Sequence, residues 1–287
     1  MLTRAVVNHL FYSGKFRLLV LALLAASMSG CASTTTGGVV GVKRSQFLAL
    51  PASYVGNMSK QAYAQTLSAA QKKQTLNADP ILVDRVRKIS NRLIAQVGVF
   101  RADATQWQWE VNVEKSDQLN AYCMPGGKIM VYSGLIEKLN ATDDELAAVI
   151  GHEIAHALRE HGRERMSQAY VQQFGLQAIA AVLTRGTSTV AGNASMQAAS
   201  MGSKLFFALP NSREQERESD RIGLELAARA GYDPAAAVSL WEKMEAQGGA
   251  KQPEFLSTHP ASANRIAELR ELSPTVMPLY EAAKAAK

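Results

Sequence analysis

Apolar residues recur at helical spacing through Leu146, Val149, Ile150, Ile154 and Leu158, and Thr142 with Glu145 stands just before them as an S/T-x-x-E capping box. This predicts one well-started helix with an apolar flank. Further helical stretches are expected over 54–76 and 80–97, the second with Pro80 at its first position, where a missing N–H costs nothing. Between these helices the pattern changes. Aromatic and β-branched residues over 107–113 and 119–123, followed by Pro125-Gly126 and then 128–132, predict three short strands with a type II turn between the last two. After the capped helix, a helical stretch is expected to about residue 183. The Gly-, Ser-, Thr- and Ala-rich segment 184–204 reads as a connection passing near a cleft or as a plain linker. A second capped helix starts at Ser212 with Gln215 and ends near Gly231; Asp233-Pro234 opens another to 244, and two short helices around Ser273-Pro274, the first over 262–272, close the chain.

The capped helix carries candidate chemistry. His152 and His156 lie four residues apart, so both imidazoles project from one face and can converge on one metal ion, while Glu153 is placed to take a proton from an attacking water. A solvated helix with two histidines is the alternative, and the apolar flanks weigh against it, because unpaired imidazoles on a partly buried face are costly. A catalytic zinc takes three protein ligands. The pattern H-E-x-x-H-x-x-G-x-x-H would need Gly at 159 and His at 162, but the chain has Arg159, His161 and Gly162. On a continuing helix His161 falls far around the axis, as a surface or supporting residue.

The third ligand is sought in the helix after Ser212. Of Glu214, Glu216 and Glu218, only Glu216 shares a stripe with Asp220 at i+4 and the small Gly223 at i+7, which combines two carboxylates with room for close helix approach. Glu216 is therefore the expected ligand. Asp220 can accept a hydrogen bond from the far ring nitrogen of a metal-bound histidine. The competing reading is an acidic solvated face with i,i+4 arginine partners.

Four ordered motifs now coincide: H-E-x-x-H at 152–156, E-x-E-S-D-R-I-G from Glu216 onward, Asn120-Ala121-Tyr122-Cys123-Met124-Pro125-Gly126-Gly127, and Thr258-His259-Pro260 with Arg265. Together they resemble the gluzincin metallopeptidases, in the branch that holds HtpX, BepA, LoiP, the mitochondrial Oma protease and the CAAX prenyl protease, over about residues 79–272. The resemblance implies an α+β, predominantly helical, zincin-like domain with a small antiparallel sheet beside the active-site helix. It implies one zinc per chain held by His152, His156 and Glu216, with Glu153 as base. Ser219 replaces the family's usual alanine. By the same resemblance His259 and Arg265 lie near the metal as further candidate catalytic residues. His259 would either donate to the developing oxyanion or occupy the fourth zinc position and keep the enzyme latent; Arg265 would stabilise that oxyanion or, preferably, pair with the acidic helix.

The first thirty residues bear on location. Arg4, Lys15 and Arg17 precede an apolar run over 18–26 that ends in Met28-Ser29-Gly30-Cys31, the pattern of a secretory signal over 1–30. The small residues before Cys31 resemble a bacterial lipobox, with Met28 where Leu is usual, so lipidation of Cys31 is expected, then a tether over 31–50 and the metallopeptidase domain over 51–287. By resemblance to the bacterial lipoprotein sorting rule, Ala32 in place of Asp implies the outer membrane, periplasmic face. Loss of residues 1–30 takes the formal charge from +6 to +3, because it removes three basic and no acidic residues, and no nucleic-acid partner is implied. Cys123 would then lack an intramolecular partner, and burial beside the hairpin is the expectation. The reading as a whole is a lipid-anchored zinc endopeptidase acting on misfolded or unassembled envelope proteins. Its rival is an assembly or chaperone factor for outer-membrane proteins, working beside their assembly machinery, whose proteolysis is normally suppressed by His259.

Overall fold

The computed structural model describes residues 31–184, 211–247, 254–260 and 263–286. The expected signal over 1–30 and nearly all of the 184–204 connection lie outside these residues. In chain order the described elements are β1 (Cys31–Ala32), β2 (Gln46–Phe47), α1 (Ala52–Lys72), α2 (Pro80–Ile94), two short 3-10 turns, β3 (Glu110–Glu114), β4 (Ala121–Met124), β5 (Lys128–Tyr132) and α3 (Ser133–Lys138). There follow α4 (Asp143–Leu158), α5 (His161–Thr184), α6 (Arg213–Arg229), α7 (Ala236–Ala246), α8 (Glu254–Thr258) and α9 (Ala263–Ala285). The architecture is the helical one with a small sheet that the sequence suggests.

Local chemistry starts the principal helices where expected. Asp79 accepts from the backbone N–H groups of Ile81 and Leu82 ahead of Pro80. Thr142 with Glu145 and Ser212 with Gln215 each close a reciprocal capping box, so α4 and α6 begin at defined residues. Gly231, at φ 73°, follows the end of α6. In the turn Met124-Pro125-Gly126-Gly127, Gly127 N–H donates to Met124 C=O at 3.1 Å and Gly126 has φ 83°, the left-handed position a type II turn requires.

The sheet differs from the antiparallel expectation in one pairing. β4 and β5 form the antiparallel hairpin, with Tyr122 opposite Met130, but β3 runs parallel to β5, with Val111 opposite Ile129. The order is β3-β5-β4. The chain between β3 and β4 crosses over, so β5 is the centre and β4 an edge. This mixed sheet packs through β4 on α4, whose other sides meet α6, α7 and α2.

Two further differences have physical causes. The segment expected as a tether over 31–50 is docked: Val40 and Val42 are buried, and Val39 and Val40 N–H groups both donate to the buried Glu225 carboxylate of α6. Gly38, at φ 59°, makes this possible, because a Cβ there would stand 2.4 Å from Glu225 Oε2. At the other end, α9 runs unbroken through Pro274 and Pro278 where a break was expected. A mid-helix proline costs about 3 kcal/mol; buried Ile266, Leu269 and Val276 hold α9 along its line nonetheless.

Candidate metal centre

Glycine brings the two chemical helices together. α4 crosses α6 where Gly151 meets Gly223: a Cβ on Gly151 would lie 2.9 Å from Gly223 C=O, and one on Gly223 only 2.7 Å from the His152 backbone nitrogen. This approach sets His152 and His156 against Glu216. His156 Nε2 is 3.0 Å from His152 Nε2, Glu216 Oε1 is 3.3 Å from His156 Nε2, and Glu216 Oε2 is 3.4 Å from His152 Nε2. Just past the end of α8, His259 adds Nδ1, 3.3 Å from His152 Nε2 and 3.1 Å from Glu216 Oε1. The four donor atoms lie within 4.8 Å of one another, and all four residues are buried.

The outer hydrogen bonds show what this cluster fits. His152 Nδ1 faces Asp220 Oδ1 at 3.0 Å, so an acceptor-only carboxylate takes the ring proton there and Nε2 turns a lone pair to the centre. His161 Nε2 faces Glu218 Oε2 at 2.9 Å, which leaves His161 Nδ1 to accept from His156 Nδ1 at 2.8 Å. His156 Nε2 therefore also points a lone pair inward. Two such lone pairs and a carboxylate converging out of water repel one another unless a cation lies between them. On the protein groups alone a proton is drawn in: burial opposes it, but Asp220 and then Glu216 push His152 up to about 9. Burial instead holds His156 well below the usual imidazole range, and His161 down at about 4. Glu216 stays well below the usual carboxylate range although burial acts the other way, because the three histidines face it. Imidazole and carboxylate donors of this kind suit zinc.

Glu153 is buried beside the cluster, with Oε1 3.5 Å from His259 Nε2 and no hydrogen bond to that oxygen among the described residues. Burial raises its pKa, the direction that suits a group meant to hold a proton in passing. A cleft runs past it, lined by Asn120 to Pro125 of the β4 edge. Cys123 in that strand is buried, and burial pushes its thiol up.

The other sequence candidates separate clearly. Glu214 pairs with Arg217 in solvent, and Glu218 is taken by Arg44, Arg159 and His161, so of the three glutamates Glu216 alone faces the cluster. Arg265 is engaged with the carboxylates of α6. It clamps Asp220 through Nε at 2.6 Å, reaches Glu216 Oε2 at 2.9 Å and lies over the Trp241 ring. Of its two proposed roles, this geometry is the pairing with the acidic helix. His259 is stacked on Phe255 at 4.4 Å and held by Asn211 at 3.2 Å.

His161 corrects the expectation of a continuing helix. α4 stops at Leu158, Glu160 takes φ 51°, and α5 restarts at His161, which folds the ring back under His156 in full burial. The break falls on Arg159 and Glu160, and Gly162 lies only after the restart, so nothing at the break itself signalled the burial of His161 or its partner Glu218.

A helical domain with a small mixed sheet, built around an H-E-x-x-H helix and a glutamate from a second helix, is the zincin class of metallopeptidase domain. Residues 80–273 match the profile of Peptidase family M48, and the chain belongs to that family of zinc metallopeptidases. It is similar to the mitochondrial metalloendopeptidase OMA1 of Bos taurus, 37% identical over 183 residues, which are 60% of this chain and 34% of that protein. It is likewise similar to the OMA1 of Schizosaccharomyces pombe, 32% identical over 225 residues, 76% of this chain and 60% of that one. The beta-barrel assembly-enhancing protease of Escherichia coli (strain K12) is 26% identical over 205 residues, 70% of this chain and 41% of its own length. The chain thus spans from about a third to three-fifths of these relatives.

Proposed function

We propose that this chain is a zinc endopeptidase in which His152, His156 and Glu216 hold the metal and Glu153 is the general base. The observation that carries the reading is the convergence of those three donors with a buried carboxylate oxygen that accepts no hydrogen bond, beside the cleft lined by β4. Zinc, when bound, supplies the positive charge that polarises the scissile carbonyl and acidifies water. The chain does the rest. β4 offers backbone groups to an extended peptide as an added strand, fixing the bond over the cluster. Glu153 takes the proton of the attacking water and passes it to the leaving amine nitrogen. Asp220 and the Glu218–His161 pair hold the two imidazoles in the inward-facing tautomer, and Arg265 holds Asp220.

A latent resting state is favoured by one specific observation, the position of His259. Its Nδ1 is among the four clustered donors while its Nε2 faces Glu153, so the ring stands where water and substrate would have to enter. In this reading α8 must withdraw before cleavage. A chain that holds polypeptides while its cleavage is suppressed would also serve as an assembly factor.

The proposed setting is the periplasmic face of the bacterial outer membrane, anchored through a lipid on Cys31, with misfolded or unassembled envelope proteins as substrates. Similarity to a beta-barrel assembly-enhancing protease supports it, as does the lipobox-like Met28-Ser29-Gly30-Cys31. No described helix is long and apolar enough to cross a membrane. Because the chain docks from residue 32 onward, such an anchor would hold the domain close to the bilayer.

The deciding experiment is cleavage of casein and of an unfolded outer-membrane protein by purified wild type and Glu153→Gln, with zinc measured in both. One zinc in each and turnover only in the wild type is expected; undiminished turnover in Glu153→Gln removes the mechanism. For the anchor, labelled palmitate should be incorporated into the wild type and not into Cys31→Ser.

A further inference from the structure

Arg165 belongs to none of the networks described above. It lies on α5, one turn after His161, and lines the same cleft as Asn120, Tyr122, Glu153, His156 and His259. Its Nε is closed off from solvent and has no hydrogen-bond partner, and it forms no salt bridge among the described residues. The two fully enclosed arginines at this centre are saturated: Arg159 by Glu218, Ser33 and Thr35, and Arg265 by Asp220 and Glu216. Arg165 is not. Burial pushes it down to about 10, with Glu216, Glu153 and Glu164 opposing that only at a distance.

Arg165 is half-buried at the cleft wall, and a guanidinium whose Nε is withdrawn from water with no anion beside it is unfavourable, an imbalance relieved when a ligand brings one. Arginine presents a rigid planar fork that matches a carboxylate with two parallel hydrogen bonds. Among the groups of an unmodified polypeptide, only carboxylates bring a full negative charge at neutral pH. We propose that Arg165 binds a carboxylate of the peptide lying in the cleft, either an acidic side chain near the scissile bond or the substrate's C-terminal carboxylate. Such a group would otherwise meet the negative charge of Glu153, so Arg165 decides whether an acidic substrate is accepted or rejected. The inference rests on the cleft being the peptide-binding site.

The test uses fluorogenic peptides in matched sets. One set carries Glu, Gln or Lys at each position flanking the bond; the other ends in a free carboxylate or an amide. Wild type, Arg165→Gln, Arg165→Lys and Arg165→Glu are compared in the full chain. Wild type should prefer the acidic member of one set by about tenfold or more in kcat/KM, the scale of one charged hydrogen-bonded contact. Arg165→Gln should abolish that preference, Arg165→Lys should keep part of it, and Arg165→Glu should turn it toward the Lys peptide. The set that responds tells an internal acidic residue from a chain terminus. Equal turnover of acidic and neutral peptides by wild type at all positions and at the terminus overturns the proposal, as does a loss in Arg165→Gln that is uniform over all peptides. A second arm measures binding of the same peptides to Glu153→Gln protein by fluorescence anisotropy. If wild type cleaves nothing, the peptidase reading falls, and the binding arm alone decides Arg165.

Discussion

Nδ1 of His161 lies 2.8 Å from Nδ1 of His156, and the opposite nitrogen of His161 is bound to Glu218. A buried histidine is thereby used as a neutral wedge that dictates which nitrogen of its neighbour carries the proton. Removing it should loosen the metal without removing a metal ligand. His161→Phe, which keeps an aromatic ring in the space, should weaken zinc binding about 10- to 100-fold in chelator competition, the usual scale for the outer partners of metal-bound histidines. An unchanged zinc affinity in a well-folded His161→Phe would show that the contact does not orient His156.

Gly223 should tolerate no side chain. A Cβ there would stand 2.7 Å from a backbone nitrogen of α4, which cannot swing aside as a side-chain tip can. Gly223→Ala should cost about 1–3 kcal/mol, the usual penalty of overpacking, and should also lower zinc content, because the same crossing aligns Glu216 with the histidines. Thermal melts with metal analysis would check this; full stability and one zinc per chain would count against the close crossing.

Acid should unfold the protein partly through Glu164 and Glu218. Burial works against their ionisation, yet Arg44 and Gln215 for Glu164, and His161 and Arg44 for Glu218, bring each down to about 2 from an ordinary 4.5. A carboxylate held below its unfolded value stabilises the fold fully above about pH 4.5 and loses that contribution as pH falls toward about 2. Urea midpoints of wild type should therefore decline through this window. Arg44→Met should be weaker already at neutral pH and decline less steeply, and parallel pH curves for the two proteins would contradict the assignment.

His259→Ala distinguishes a latch from an oxyanion donor. With the ring at the fourth corner of the donor cluster, its removal should raise the rate of casein cleavage and shorten the life of the protein in cells. Were the ring instead a donor to the oxyanion, turnover would fall by about 100-fold or more. The double variant Glu153→Gln/His259→Ala should show no cleavage, which separates true release of the latch from a contaminating protease.

What the sequence alone determined is what depends on neighbours along the chain. Capping boxes at Thr142 and Ser212, Pro80 at a helix start, the Pro125-Gly126 turn and the i,i+4 spacing of His152 and His156 are local chemistry, and each is found at its place. The stripe of Glu216, Asp220 and Gly223 was also legible, since residues four and seven apart share a helix face whatever they pack against. Tertiary structure decided the rest. The parallel pairing of β3 with β5 joins strands that are not consecutive, and the docking of Val40 and Val42 depends on Glu225, far along the chain. An unbroken α9 with two internal prolines is held by packing that offsets a local penalty. The burial of His161 follows from one left-handed residue, Glu160, that no local preference demands. Even the geometry of the donor cluster, though its members could be named one by one, is set by two glycine backbones meeting between helices more than seventy residues apart.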